Sequence, residues 1–187
     1  MWWPNARALL RLVPVFALAA LCAGCFQPLY GTHASAPPGV SASVGGMLRG
    51  VQVEPLRTPR GTRLDRVGVE VRNSLIFNLT GGSGSSAATH KLMIDIDSQQ
   101  RQIIVDITTG RSDVQTYGID ARYQLVDLAT NKVVVNSATF ARVSFNIPGQ
   151  QQRFAGERGL RDAEDRAAGE IAENIRNRLA SYFAAGT

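Results

Sequence analysis

Apolar and polar residues alternate along the middle of the chain, between His90 and Ile147. An alternation with period two places successive side chains on opposite faces of a β-strand, so this region is predicted to contain strands. Because their links are short, the strands are expected to form an antiparallel meander with one face toward water. The three predicted strands start at His90, run from Thr116 to Leu125, and span Val133 to Ile147 after a turn at Asn131-Lys132.

The apolar positions change parity within the first of these strands. Even-numbered positions are apolar up to Ile96, whereas odd-numbered positions are apolar from Ile103 to Ile107. A regular strand cannot move its apolar residues from one face to the other, because its side-chain period is two. We therefore expect a bulge or a break near Gln99 or Gln100.

Two other segments carry apolar residues at spacings of three and four, which is typical of amphipathic helices. The first helix is predicted to begin at a Thr62 cap, with Asp65 three residues later, and to end at Gly81. The second runs from about residue 157 to residue 183. A short strand over Val51–Val53 precedes the first helix.

These elements follow the order β-α-β-β-β-α. An α+β two-layer sandwich with both helices on one sheet face lets the two amphipathic helices and the mostly antiparallel four-stranded sheet bury their apolar sides against each other. The other face then carries Asp95, Asp97, Arg122 and Gln124, which must point toward water or toward a partner. The sequence thus predicts one polar sheet face that no helix covers.

The N-terminal segment has the features of an export signal. Arg7 and Arg11 precede an apolar run from Leu12 to Gly24. This run is shorter than the roughly 20 apolar residues that a membrane-spanning helix needs. Residues 1–24 are therefore predicted to be a signal peptide.

Cys22 and Cys25 are the two cysteines of the chain, and their C-x-x-C spacing has two interpretations. A redox or metal pair would need a folded strand before it or further ligands, which a signal segment does not supply. In a bacterial lipobox, small residues precede the lipidated cysteine, and Ala23 and Gly24 stand directly before Cys25. We therefore expect a covalent lipid on Cys25 and no other cofactor.

A lipidated N-terminus and flexible tether are predicted over residues 25–50, and a single α+β domain over residues 51–187.

Composition and charge narrow the class of protein. The chain has 187 residues, of which 44% are hydrophobic and 19% are charged, as expected for one globular domain. Arg7 and Arg11 of the predicted signal peptide contribute to the formal net charge of +5. Because acidic residues alternate with the remaining arginines, no nucleic-acid partner is expected.

No group of residues predicts an active site. Residues 82–87 nominally match a dinucleotide-binding fingerprint, but a helix precedes them and a strand follows, which is the reverse of the required context. His90 stands near no recognised nucleophile motif. Asp95 and Asp97 share one face of a strand and could hold a cation, although such acids usually solvate a polar face. The sequence therefore predicts a protein without catalytic residues or a metal site.

The segment from Cys25 to Gly31, CFQPLYG, resembles the start of the mature lipoproteins of the LptE family. In that family, a lipidated cysteine is followed closely by a Phe-x-Pro-Leu-Tyr-Gly-like string, and the element order is similar as well. The resemblance implies a periplasm-facing, lipid-anchored protein of the outer membrane. Such a protein sits inside the LptD β-barrel and assists the insertion of lipopolysaccharide into the outer leaflet. Phe26, in place of aspartate, agrees with sorting to the outer membrane.

Such a role needs basic side chains that meet the phosphates of lipid A, since arginine forms paired, charge-assisted hydrogen bonds with phosphate. An alternative remains open, in which the chain is a generic periplasm-facing lipoprotein adaptor that binds a peptide, a glycan or another envelope protein. Charge and position select five candidates for contact with lipopolysaccharide, which are Arg101, Arg111, Arg122, Lys132 and Arg142.

Overall fold

The computed structural model describes residues 44–82, 84, 86–103, 114–146 and 153–185. The predicted α+β class and the order β-α-β-β-β-α are confirmed, and a short additional helix precedes the first strand. None of the described helices is both long enough and apolar enough to cross a membrane. The elements are α1 (Val44–Arg49), β1 (Val51–Val53), α2 (Arg63–Thr80), β2 (His90–Ile103), β3 (Val114–Asp127), β4 (Lys132–Asn146) and α3 (Arg153–Ala184).

The four strands form one mixed sheet in the order β1-β2-β3-β4. β1 is parallel to β2, and the other two strand pairs are antiparallel. The predicted bulge or break near Gln99 or Gln100 is wrong, because β2 and β3 keep one register over the whole length of β2. Ile103 is 45% exposed, so the apolar parity changes where the strand leaves the core and not where the backbone is irregular.

Helix α2 begins and ends at the residues that the sequence indicates. Thr62 is its N-cap, and Thr62 Oγ1 accepts a hydrogen bond from the backbone N–H of Asp65 at 3.2 Å. Gly81 follows the helix with a φ of 63°, a left-handed conformation that glycine adopts without strain. The Gly81 N–H donates to the carbonyl of Phe77 at 2.8 Å, which satisfies one of the last helix carbonyls.

Both long helices pack on the same face of the sheet. A single core cluster joins the apolar stripes of α2 and α3 to the odd-numbered residues of β3, and Leu75, Ile119 and Ile175 are fully buried in it. On the solvated side of α3, Asp162 and Arg166 form an i,i+4 ion pair at 2.8 Å. The helices therefore cover one sheet face, and the face opposite them is the candidate for contact with other molecules.

The predicted flexible tether extends too far toward the domain. Residues 44–49 of the predicted tether form helix α1, and Leu48 is only 2% exposed within the core cluster. The described part of the folded domain therefore starts at Val44 and not at residue 51, because the apolar side chain of Leu48 completes the core. The predicted signal peptide and Cys25 lie outside the described residues.

Candidate functional site: the open face of the sheet

The sheet face opposite the helices carries the main candidate site, and we call it the open face. The strands alternate their side chains between two faces, and the buried parity of β3, from Tyr117 to Leu125, points at the helices. The residues at the alternate positions are mostly polar, and apart from Gly118 those on the open face are partly or fully exposed. The open face therefore consists of Lys91, Met93, Asp95, Asp97, Gln99 and Arg101 of β2, Thr116, Gly118, Asp120, Arg122 and Gln124 of β3, and Asn136, Ala138, Phe140, Arg142 and Ser144 of β4.

A groove lies on the open face beside β1. Arg57, Lys91 and Arg122 line it together with the carboxylates of Glu54 and Asp95. Asp95 stands directly opposite Arg122 in the register of β2 and β3. Among the described residues, none of the three cations makes an ion pair within 4.0 Å, so their charged groups are available to an anion in solution.

Arg142 is held flat on the sheet. Its Nη1 donates to the carbonyls of Ile119 and Ala141, each at 2.9 Å, and its Nη2 donates to Asp120 Oδ1 at 2.6 Å. The side chain crosses Gly118, where a Cβ atom would stand 2.8 Å from Arg142 Cδ. Glycine at this position is therefore what lets the guanidinium reach β3.

Asp120 is the acidic partner of this arginine. The hydrogen bond from Arg142 holds the pKa of the Asp120 carboxyl below its usual value, and a hydrogen bond from Gln99 Nε2 at 3.1 Å contributes in the same direction. Asp97 lies directly opposite Asp120 in the sheet. The positive charge of Arg142 thus offsets the repulsion between two neighbouring carboxylates.

The predicted contact residues take different positions on the domain. Arg101, Arg122 and Arg142 share the open face, and Arg101 Nε donates to Gln99 Oε1 at 3.1 Å. Lys132 is the exposed first residue of β4, and Arg111 lies outside the described residues. The structure therefore brings three of the five residues to one surface.

Sequence reasoning missed Arg57 and Lys91, which complete the groove. Lys91 has the same parity as Asp95, so the strand pattern contains a signal for its position. Arg57 follows β1 in a non-repetitive segment, and no periodicity indicates where its side chain lies. Only the tertiary structure brings it beside Arg122.

The candidate catalytic and metal residues form no reactive arrangement. In the described residues there is no group of three or more His, Cys, Asp or Glu side chains that could hold a metal ion. The His90 ring packs edge-on against Phe183 with centroids 5.2 Å apart, and burial lowers the pKa of His90. The residues around 82–87 follow helix α2 and precede strand β2, which is the order expected from the sequence and not that of a dinucleotide site.

A buried ionic cluster lies on the other side of the domain, between α2 and α3. Glu164 is only 1% exposed and forms ion pairs with Arg66 and, at 3.6 Å, with Arg63. Desolvation raises the pKa of Tyr117 beneath this cluster. The cluster joins the two helices, and Arg63, Arg66 and Glu164 also line a pocket together with Glu157 and Arg161.

Comparison with protein families gives one match over most of the domain. The family is LptE, described as lipopolysaccharide-assembly, and its model matches residues 48–179. The curated proteins yield no match.

Solved structures share the fold. A candidate lipoprotein from Caulobacter crescentus CB15 has a TM-score of 0.62 and 22% identity, over 78% of this chain and 98% of that chain. The rare lipoprotein B from Shewanella oneidensis has a TM-score of 0.50 and 14% identity, over 72% and 96% of the two chains. An uncharacterized lipoprotein B from Nitrosomonas europaea has a TM-score of 0.51 and 13% identity, over 73% and 83%. At these identities, the similarities establish the fold alone.

Proposed function

Because the chain belongs to the LptE family of lipopolysaccharide-assembly proteins, we propose that it plugs an LptD-type β-barrel and helps insert lipopolysaccharide into the outer leaflet. Family membership makes the chain an envelope lipoprotein without enzymatic activity. The proposal adds the barrel partner, direct contact with lipopolysaccharide, and anchoring in the outer membrane with the domain facing the periplasm.

The open face is the observation that carries this proposal. A plug inside a water-filled barrel must present polar side chains to the lumen while its own core stays closed. The two-layer fold does this by placing both helices on one sheet face and leaving polar residues on the other. No catalytic arrangement is required for such a role.

The groove beside β1 is the proposed contact for lipid A phosphates. Arg57, Lys91 and Arg122 offer three cations that the described domain leaves without ion-pair partners. Phosphate oxygens can accept charge-assisted hydrogen bonds from all three. Arg101, Arg111 and Lys132 remain candidates for secondary contacts. Arg142 is the weakest candidate, because both of its Nη atoms already donate to the sheet.

Membrane attachment is proposed to come from lipid on Cys25. Each buried methylene of an acyl chain contributes about 0.8 kcal/mol, so the several chains of a bacterial lipoprotein would hold the domain stably. Mass spectrometry of the mature N-terminus tests this attachment. An uncleaved leader, or a bridge between the sulfurs of Cys22 and Cys25, would contradict it.

Charge removal in the groove tests the lipopolysaccharide contact. We expect the double variant Arg57→Gln and Arg122→Gln to bind purified lipopolysaccharide about tenfold or more weakly, because two charged hydrogen-bond donors are lost. The double variant Arg158→Gln and Arg178→Gln is the matched control, since it removes the same charge from two exposed arginines of α3 on the helix side. Equal binding by both variants would refute the groove as the contact site.

Two measurements in cells separate the proposal from the generic adaptor. Depletion of the protein should reduce lipopolysaccharide at the cell surface, and the protein should co-purify with a large β-barrel through detergent extraction. An adaptor without a lipopolysaccharide role would leave surface lipopolysaccharide unchanged and would separate from the barrel.

A further inference from the structure

The two edges of the sheet differ in how well they are protected. β1 is three residues long, and its outward Val53 carbonyl accepts a hydrogen bond from Arg72 Nε at 3.3 Å. β4 is 15 residues long and occupies the opposite edge. In the part of the chain that the structure describes, no strand pairs with the outer side of β4. On one side, β1 covers β2 from His90 to Leu92 and β2 itself forms the edge beyond Leu92, whereas on the other side β4 forms the edge along its whole length.

The alternation of backbone hydrogen bonds across the sheet identifies which residues of β4 point their N–H and C=O groups away from β3. The Leu92 carbonyl accepts from the Glu54 N–H at 3.0 Å, so even-numbered residues of β2 direct their peptide groups toward β1. Peptide groups alternate between the two neighbours of a strand, so odd-numbered residues of β2 bond to β3, and odd-numbered residues of β3 bond to β4. Since Ala121 pairs with Thr139, the odd-numbered residues of β4 face β3. From Asn136 to Asn146, the even-numbered residues of β4 therefore direct N–H and C=O outward, and a register shift opposite Leu125 and Val126 ends this alternation toward Lys132.

From Asn136 to Asn146, β4 also lacks the usual devices that prevent edge pairing, because its register shift lies before this stretch, opposite Leu125 and Val126. Natural sheets protect long edges with prolines, charges or irregular backbone. β4 contains no proline, and its one charge in the central region, Arg142, folds back over Gly118 to pair with Asp120. Beside it, Phe140 is 64% exposed, with the Arg142 guanidinium carbon 5.3 Å from the ring centre. The middle of the edge thus presents an apolar ring and unpaired peptide groups.

We propose that the outer edge of β4 is a strand-pairing surface that binds an extended, carboxylate-bearing segment of another protein. Charge supports this occupant over a second copy of the chain. β4 has no acidic residue and its Arg142 is already paired with Asp120, so a second β4 would offer the exposed Lys132 no carboxylate. A partner strand with Asp or Glu complements Lys132 while backbone hydrogen bonds supply the main attraction. The pairing goes beyond the proposed lipopolysaccharide contact and does not depend on it.

Photo-crosslinking of the full chain in the cells that make it tests the pairing. Phe140 is replaced by p-benzoylphenylalanine, an aromatic residue that retains the ring of the exposed side chain. Ala138→Pro then removes an outward N–H, while Ala138→Val keeps this N–H and adds side-chain bulk at the same exposed position. We expect an adduct with a segment of another protein, whose yield falls about tenfold in Ala138→Pro and stays within about twofold in Ala138→Val.

Thermal unfolding of both variants shows whether the domain remains folded. If Ala138→Pro unfolds, Ser144→Pro removes another outward N–H nearer the strand end and replaces it. The proposal is overturned by an adduct that joins two copies of this chain, by an adduct that survives the proline substitution, or by the absence of any adduct.

Discussion

Gly118→Ala should separate the contribution of Arg142 to the free energy of unfolding from the contribution of the backbone. In the wild-type domain, a Cβ atom at position 118 would lie 2.8, 2.9 and 3.1 Å from Cδ, Nε and Cζ of Arg142. These atoms form the outer part of the side chain, and Nε and Cζ belong to the guanidinium itself, so the side chain cannot keep its present path. We expect the guanidinium to leave the sheet and to lose its bonds to Ile119, Ala141 and Asp120.

The expected magnitude follows from the exposure of the ion pair. The side chains of Arg142 and Asp120 are 36% and 48% exposed, so solvent screens their attraction and the three hydrogen bonds together contribute only about 1.5 kcal/mol. Alanine in a strand is better than glycine by roughly 0.5 kcal/mol, because the unfolded chain loses freedom. The free energy of unfolding should therefore fall by about 1 kcal/mol in Gly118→Ala.

The same substitution should change the free energy of unfolding in the opposite direction once Arg142 is removed. In an Arg142→Ala background, no side chain crosses position 118, so Gly118→Ala should raise the free energy of unfolding by about 0.5 kcal/mol. Urea unfolding followed by circular dichroism measures all four proteins of this cycle. An equal loss in both backgrounds would refute the reasoning, because it would show that the alanine acts without Arg142.

Three further substitutions test the helix layer and the strand end. Glu164→Ala should lower the free energy of unfolding by about 1–2 kcal/mol, because Arg63 and Arg66 lose a charged partner but are 50% and 39% exposed and can be solvated. Glu157→Ala, at a site 72% exposed, should change the free energy of unfolding by less than about 0.5 kcal/mol in the same urea titration. Thr62→Ala removes the N-cap of α2 and should lower the free energy of unfolding by about 1 kcal/mol. Thr62→Ser keeps a hydroxyl at this position and should restore most of the loss. Burial lowers the pKa of His90 from 6.5, so the unfolded chain binds the proton more readily and stability should decrease as pH falls below about 6.5. His90→Gln should flatten that part of the urea-midpoint profile, and an unchanged slope would exclude His90 as its source.

Local patterns in the sequence were sufficient for the elements from β1 to α3 and for their buried faces. The Thr62 cap and the Gly81 terminus depend on contacts within a few residues, so the sequence places both ends of α2 correctly. The alternation from Tyr117 to Leu125 likewise identifies the core face of β3, because the side-chain period of a strand is fixed at two. The sequence also predicts the uncovered polar face, because the two amphipathic helices cover only one face of the sheet.

The predictions failed at the ends of some elements, where the structure depends on contacts with residues far away in the chain. The parity change before Ile103 has the same appearance in a sequence whether a strand bulges or simply leaves the core. Residues 44–49 contain two glycines and follow a polar segment, so a composition argument assigns them to the tether. Their helix forms because Leu48 fills a place in the core, which is a long-range contact that local composition does not record.

The sequence by itself determined the class, the order of the elements from β1 to α3 and the polarity of each sheet face, because each depends on residue type and spacing along the chain. The lipid on Cys25 stays a prediction from the same kind of pattern. Only the tertiary structure decided which charges meet. Arg57 reaches the groove from a loop, Arg142 is neutralised across Gly118, and the edge of β4 is left open by strand order. These features depend on distances between residues far apart in the chain, and periodicity carries no information about such distances.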